Sequence, residues 1–167
     1  MSSGVPIGAP FGLQLPEWDI RITNRTGDTR TAGQILRLDL DLNTEATDNE
    51  PGHALSGLSN GEAPVAGKQT GTQICVVLLE DIEDDKTGMA RVYGRVDVAS
   101  GGAITFSAGS EESRALTVAA DYTLGAAAAA TAEGIYAIGI DPDGATPADG
   151  LLTPVLWNGF TWATQNT

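Results

Sequence analysis

The sequence predicts an all-β domain, a small β-barrel or a sandwich, with an extended N-terminal arm and almost no helix. Several short stretches alternate between apolar and polar residues, which is the pattern of half-buried strands. Turn-forming residues, including 21 glycines and 8 prolines, separate these stretches at short intervals. Hydrophobic residues make up 41% of the 167 residues, which is enough for one modest core.

Residues 1–17 are predicted to form the extended arm. Glycine and proline recur through this segment and block both a helix and a central strand. The segment and the residue after it nevertheless carry apolar side chains that a free tail in water would rarely contain. We expect these side chains to lie on the protein's own domain or to dock on a neighbouring subunit or another protein. They are Val5, Ile7, Phe11, Leu13, Leu15 and Trp18.

Residues 18–71 are predicted to hold two strands near the arm and a long loop. Residues 18–23 (WDIRIT) and 36–43 (LRLDLDLN) are apolar at every second position, which indicates two half-buried strands. Residues 44–71 contain few bulky apolar side chains, so we expect a long loop there. Loops of this length in a compact domain often serve a function, which makes this one a candidate contact surface.

Residues 72–167 are predicted to form the β-barrel body. Residues 73–79 are almost continuously apolar, so both faces of this strand should be covered. An acidic turn at residues 80–88 precedes an alternating strand at 89–98, in which Gly94 marks a bulge or a close backbone approach. Further short strands are predicted at residues 104–106, 116–118, 135–140 and 151–157.

Three features near the end of the chain refine this body. The Ala-rich residues 126–133 allow two turns of helix, because alanine has the highest helix propensity. Pro154 cannot donate a ladder hydrogen bond, which places its strand at an edge or a bulge. Asn158-Gly159, with apolar residues on both sides, predicts a two-residue β-hairpin.

The charge balance excludes several classes of partner. The chain carries 9 Lys and Arg against 22 Asp and Glu, a net charge of −13 at pH 7. A field this negative repels phosphate backbones and anionic lipid surfaces, so we expect neither a nucleic-acid partner nor a membrane partner. No apolar run approaches the roughly 18 residues of a membrane helix, and no signal peptide is expected at the N-terminus.

The sequence predicts neither an enzyme nor a cofactor. With one cysteine and one histidine, it can form no intrachain disulfide and no Cys/His zinc site of its own. Cys75 lies in an apolar run, where a small buried side chain is expected. The acidic residues between positions 80 and 85 allow Ca²⁺ binding or a hydrolase carboxylate pair, but a solvated turn is favoured.

A weak calcium candidate follows the strand predicted at residues 135–140. Asp141 and Asp143 precede a glycine, as in the first part of a calcium loop, and Asp149 follows. The third ligand before the glycine and the acidic residue at the twelfth position are absent, so a plain hairpin loop is favoured. We therefore predict no metal site.

The sequence from about residue 72 to residue 160 resembles the capsid decoration proteins of tailed bacteriophages, which are also called cement or head-stabilising proteins. Those proteins share a strand with an acidic end, a glycine turn, a v-x-G-x-v strand, an Ala/Thr-rich stretch and a terminal v-l-x-n-G motif. The matching residues here are 80–82, 88, 92–96, 126–132, 134–140 and 155–160. The first third of the chain departs from the short, compact members.

This resemblance implies a structural virion protein. Such proteins are commonly homotrimeric β-barrels or β-tulips on the outer capsid surface, at three-fold and quasi-three-fold sites, where they bridge major capsid subunits and stabilise the head. By this resemblance, the partners are further copies of the chain and the major capsid protein. The chain would be made in the cytoplasm of the bacterial host, and the apolar arm residues would contact the capsid or a neighbouring subunit.

An alternative function is that of a glycan- or receptor-binding virion module, such as a head fibre or a tail-associated protein. Trp157, Phe160 and Trp162 lie close together near the end of the sequence, and exposed aromatic rings can stack on sugars. A minor structural protein of the tail tube or connector is a further alternative, which would be present in few copies per virion.

Overall fold

The computed structural model describes residues 16–39, 58–66, 73–101, 115–119, 121–126, 134–139, 152–160 and 163–164. Within these segments the chain is all-β and contains no helix, which confirms the predicted fold class. The strands in these segments are β1 (Trp18–Asn24), β2 (Ile35–Leu38), β3 (Leu58–Glu62), β4 (Cys75–Leu78), β5 (Thr87–Ala99), β6 (Ala115–Val118), β7 (Leu124–Ala126), β8 (Gly134–Ile135), β9 (Ala137–Gly139), β10 (Leu152–Asn158) and β11 (Ala163–Thr164). The described segments hold no helix with the length and apolar character needed to cross a membrane.

Nine of the described strands belong to one sheet, in the order β1-β3-β2-β4-β5-β10-β9-β6-β7. β1 and β3 run parallel, and the other neighbouring pairs are antiparallel. β1 also pairs with β5, so the first five strands of this order form a circuit of backbone pairing. The sheet as a whole is not a closed barrel, because β10, β9, β6 and β7 extend beyond that circuit. β11 and β8 form a separate two-stranded sheet.

The 13-residue strand β5 joins the two halves of the large sheet. Its first half pairs with β1 from Thr87 to Tyr93, and its second half pairs with β10 from Tyr93 to Ala99. At the far end of the sheet, Leu124 of β7 forms a bridge with Ser100, which directly follows β5. Each half therefore curls round to meet β5 again, which gives the molecule a sandwich-like form.

Two hydrophobic clusters fill these curled halves. The first core consists of Ile22, Leu36, Leu38, Val76, Leu78, Ile82, Ala90 and Val92. The second core consists of Ile35, Cys75, Val77, Val98, Leu116, Val118, Leu124, Tyr136, Ala137, Val155 and Trp157. Because side chains alternate along a strand, β2 and β4 contribute to both cores and form the wall between them. Both faces of β4 are therefore covered, as its apolar run predicts.

Gly94 lies in β5 where the two halves meet. Its φ is +121°, a conformation that side chains other than glycine rarely adopt. A Cβ atom there would lie 3.1 Å from the carbonyl oxygen of Pro16 and 3.2 Å from the Cα atom of Glu17. The predicted close backbone approach at Gly94 is therefore confirmed, and it brings the end of the arm onto β5.

β3 corrects the long loop predicted at residues 44–71, because residues 58–62 form a strand between β1 and β2. Its sequence, LSNGE, lacks the apolar alternation from which strands are predicted. A Cβ atom on Gly61 would lie 2.7 Å from Leu36 Cδ1 and 3.1 Å from Ile22 Cδ1. Glycine therefore leaves room for side chains of the neighbouring strands, and backbone pairing holds β3 in place.

Pro154 corrects a second prediction, since it lies in an interior strand and not at an edge. β10 pairs with β5 on one side and with β9 on the other. The described pairing with β9 begins at Val155, the residue after the proline. Within the described residues, the ladder on that side therefore needs no N–H from Pro154.

The two-residue hairpin predicted at Asn158-Gly159 is also wrong. β10 ends at Asn158, and the next described strand, β11, pairs with β8 and not with β10. Gly159 instead lies between β4 and β5: its N–H donates to the carbonyl of Val92 at 2.8 Å, and its carbonyl accepts from the Cys75 N–H at 2.9 Å. A Cβ atom on Gly159 would lie 2.0 Å from the Cys75 carbonyl oxygen, so only glycine fits this gap.

Strands from residues 18–71 and from residues 72–167 share the large sheet. Residues 1–15 of the predicted arm and the strand predicted at 104–106 lie outside the described residues. So does most of the Ala-rich stretch, although its first residue, Ala126, ends β7 and is in a strand.

Candidate functional site

The candidate site is the arm root, which we define as Pro16, Glu17, Trp18 and Asp19, where the arm enters β1. Of the six residues predicted to contact the capsid or another subunit, only Trp18 lies within the described residues. Its side chain is 53% exposed, although it is large and apolar. An indole in this position is available to a partner.

Trp18 stacks on Phe160, which follows β10. The ring centroids are 5.7 Å apart, and the ring planes meet at 25°. Phe160 is itself 41% exposed, so the pair forms an aromatic surface in contact with solvent. Trp18 also pairs with Tyr93 of β5 through the backbone, which ties this surface to the centre of the sheet. Rigid aromatic pairs provide large contact area at a small loss of side-chain entropy, which suits them to protein interfaces.

Arg91 fixes the arm root on β5. Its Nε and Nη2 atoms donate to the two carboxylate oxygens of Asp19, at 2.6 Å and 3.0 Å. Its Nη1 atom lies 2.9 Å from Glu17 Oε1 and also donates to the carbonyl of Arg95. The Arg91 side chain is buried, and hydrogen bonding by Asp19 raises its pKa. Two carboxylates on either side of Trp18 are thus held by one guanidinium group.

The acidic turn lies at the other end of β1 from the arm root. Asn24, the last residue of β1, bonds through its backbone with Asp85 and Lys86. It lies six positions after Trp18 along the extended strand, which corresponds to about 20 Å. The molecule therefore carries an aromatic surface at one end of this strand and a concentration of carboxylates at the other.

The carboxylates of the acidic turn bind neighbouring parts of this chain. Three accept backbone N–H groups and one pairs with an arginine: Asp81 with Ala32 N at 2.8 Å, Asp84 with Gly27 N at 3.0 Å, Glu80 with Met89 N at 2.7 Å, and Asp85 with Arg25. Three of these bonds attach the turn to the facing loop after β1, and the bond of Glu80 attaches it to β5, which is a structural role. In the described part of the chain, no group of three His, Cys, Asp or Glu side chains is arranged to hold a metal. The calcium candidates Asp141, Asp143 and Asp149 lie outside the described residues.

Trp157 corrects one part of the sugar-stacking interpretation. It is fully buried in the second core, where it stacks on Tyr136 at a centroid distance of 6.0 Å. A ring enclosed in this way cannot serve as a platform for a glycan. Phe160 remains exposed, and Trp162 lies outside the described residues.

Cys75 is a buried core residue, as its apolar surroundings predict. Desolvation by burial raises the pKa of its thiol, and burial likewise raises the pKa of the Tyr136 hydroxyl. A protonated, enclosed thiol is a poor nucleophile.

Sequence reasoning missed Arg91, Glu17 and Asp19. Alternation gave no signal for Arg91, because it stands at a polar position of the strand predicted at residues 89–98. A buried cation needs a carboxylate partner. The partner lies 72 residues away in sequence, however, so the pairing depends on the fold.

Comparison with known proteins gives a likeness in fold. No family model matches the sequence, and no curated protein shows significant similarity to it. Among solved structures, the fold is similar to that of the head fiber gp8.5 N base in bacteriophage phi29. The TM-score is 0.52 and the sequence identity 11%, and the match covers 87% of this chain and 98% of that chain. The likeness is to a phage head fiber protein and not specifically to a decoration protein.

Proposed function

We propose that this chain is a non-enzymatic structural protein of a phage virion that binds the outer surface of the head through its arm root. The fold likeness carries this proposal, because it extends over 87% of this chain and 98% of the head fiber base. The sequence resemblance to capsid decoration proteins supports the same setting by a separate route. Both comparisons therefore support the coarser part of the proposal, a virion protein associated with a phage head.

In the finer form of this proposal, copies of the chain bridge major capsid subunits at three-fold and quasi-three-fold sites and stabilise the head. The protein is made in the host cytoplasm and acts as a homotrimer on the virion. Its net charge of −13 suits the outer surface, where it faces away from packaged DNA. Many copies on one lattice would reinforce one another's attachment through avidity.

The arm root supplies the physical basis of binding. Trp18 and Phe160 present exposed aromatic area, and Arg91 holds the backbone beside them in one position. A partner that covers these rings buries their apolar surface with little loss of side-chain entropy, because the two rings are already stacked. The apolar arm residues 5–15 add further contacts, each buried aliphatic side chain contributing about 1.5–3 kcal/mol.

Co-sedimentation with undecorated, expanded heads of the source phage tests this proposal. We expect saturable pelleting near stoichiometric occupancy. Trp18→Ala should weaken binding about tenfold or more, because it removes the centre of the aromatic surface. Arg91→Met should weaken binding as well, since both carboxylates of the arm root lose their partner.

Leu79→Ala is the matched control, because Leu79 is also an exposed apolar residue but lies beside the acidic turn. It should bind heads like the unmodified protein. Circular dichroism should show the same β spectrum for all variants. Absence of pelleting by the folded, unmodified protein contradicts the proposal, and equal losses for the Leu79 and Trp18 variants contradict the role of the arm root.

A second candidate function is glycan or receptor binding by a head fibre or a tail-associated module. The exposed Trp18–Phe160 stack favours it, because aromatic faces bind sugar rings, and the matched solved structure is itself part of a head fiber. Titration with host surface polysaccharide separates the two functions. Saturable binding to polysaccharide that Phe160→Ala abolishes, without binding to heads, would establish this second function.

A further inference from the structure

The outer face of β5, β10 and β9 carries a row of exposed apolar side chains. Leu156 of β10 lies opposite Ile138 of β9, and Pro154 and Leu152 follow along the same face of β10. Leu152 is 53% exposed and Ile138 37% exposed. Side chains alternate along β10, so Thr153, Val155 and Trp157 point inward. Leu152, Pro154 and Leu156 point outward and do not belong to either core. We call this surface the β10 face.

Two exposed charges of opposite sign border the β10 face. Arg95 of β5 lies opposite Leu156, and Asp97 lies opposite Pro154. Neither side chain forms an ion pair or a side-chain hydrogen bond with another described residue. Among the described residues, this face therefore carries one positive and one negative charge, whereas the whole chain carries −13.

We infer that the β10 face is the surface through which copies of this chain associate with one another. This inference rests on the proposed function for the expectation of a homo-oligomer, and it adds the surface. Two copies repel each other over most of their acidic exterior, but least where the local charge is neutral. A strongly basic partner would instead bind to carboxylates elsewhere on the molecule and not to the β10 face.

Charge complementarity makes a second copy the fitting occupant. Every copy presents both Arg95 and Asp97, so the arginine of one copy can face the aspartate of the next across the interface. The apolar row beside these charges, on β10 and β9, would be buried in the same contact. Each copy thus supplies both hydrophobic area and a charge of the sign opposite to the one that it faces.

The test is the molar mass of the full chain in solution without heads, measured by light scattering during size-exclusion chromatography and by sedimentation equilibrium. The unmodified protein should have a mass of two or more times the 17.2 kDa of one chain. Arg95→Asp and Asp97→Arg should each weaken association about tenfold or more, because each places like charges opposite one another. The double variant R95D/D97R restores opposite charges and should associate like the unmodified protein.

Arg21→Asp is the control, since Arg21 is exposed on β1, away from the β10 face. It makes the same change of charge and should leave the mass unchanged. A monomeric unmodified protein overturns the inference, as do single charge reversals without effect or a double variant that stays dissociated. The measurement of mass does not involve heads, so the two proposals can fail separately. A monomer that still pellets with heads overturns this inference alone. An oligomer that does not pellet with heads overturns the proposed function alone.

Discussion

Cys75 illustrates at the residue scale how burial controls the chemistry of one side chain. It lies in β4, on the face that belongs to the second core, and is fully buried. Burial favours the neutral thiol and raises its pKa above the ordinary value of 9.0. The folded protein therefore keeps this proton at a pH where the unfolded chain has lost it.

The sign of the resulting pH dependence follows from this difference. Above about pH 9 the folded state binds more protons than the unfolded state, so the free energy of unfolding should fall as pH rises. The expected slope from Cys75 is about 1.4 kcal/mol per pH unit. Urea unfolding between about pH 7 and pH 10 measures it. In Cys75→Val the slope between about pH 9 and pH 10 should be smaller, because only the contribution of Tyr136 remains of the two, and an unchanged slope in the variant contradicts the prediction.

Tyr136 has a related effect at higher pH. Burial also raises the pKa of its hydroxyl, whose ordinary value is 10.0. Its contribution to the slope therefore becomes half-maximal at about pH 10, about one pH unit above that of Cys75. The two contributions can be separated by the pH at which each begins.

β3 shows at the scale of a single element how a strand can form without an apolar pattern of its own. It is paired on both sides, with β1 and with β2. Gly61 lies over the first core, where Leu36 and Ile22 occupy the space that a side chain would need. The fit between β3 and its neighbours is therefore steric.

Gly61→Ala tests this fit. The added methyl group meets Leu36 Cδ1, so we expect a loss of about 1–2 kcal/mol in the free energy of unfolding, measured with urea. Combining it with Leu36→Val removes part of the clash, so the double variant should be more stable than the sum of the two single losses predicts. Gly125→Ala is the control, because a Cβ atom there meets nothing within 4 Å. Strict additivity of the two changes would contradict the steric account.

Sequence periodicity found the strands whose own side chains enter a core. Alternation predicted β1, β2 and β5, and a continuous apolar run predicted β4 with both faces covered. It missed β3, because side chains of the neighbouring strands fill the space over Gly61. The Asn-Gly motif wrongly predicted a hairpin at Gly159, which lies between β4 and β5. Such features depend on contacts between distant parts of the chain, which local pattern does not contain.

Of the candidate site, the sequence predicted one contact residue, Trp18, but not the residues that surround it. The exposure of a large apolar side chain at Trp18 agrees with its prediction as a contact residue, although the contact itself is still a prediction. Its stack on Phe160 and the hold of Arg91 on Glu17 and Asp19 join residues more than 70 positions apart. Composition and spacing cannot identify such pairs without the strand order.

At the scale of the whole molecule, the two cores share structure and should not unfold separately. β2 and β4 contribute side chains to both cores, and β5 pairs with strands of both halves. Loss of either core would expose one face of the shared wall. Unfolding is therefore expected to be a single cooperative transition.

Ile22→Val tests this cooperativity. It removes one methylene from the first core and should cost about 1 kcal/mol. The reporter is the fluorescence of Trp157 in the second core, in a background of Trp18→Phe and Trp162→Phe. The urea midpoint read at Trp157 should fall as far as the midpoint read by circular dichroism. Two separate transitions, or an unshifted Trp157 signal, would contradict a shared unfolding unit.

The position of the arm root on β5 has a mechanical consequence. Arg91 and Gly94, the points where the N-terminal segment is attached, lie near the middle of the strand that both halves share. Ladder hydrogen bonds run across antiparallel strands, so tension directed along β1 and β5 loads several of them together in shear. If this segment tethers the protein to a phage head, as we propose, tension on it would load the most extensively paired described strand, where several hydrogen bonds resist together.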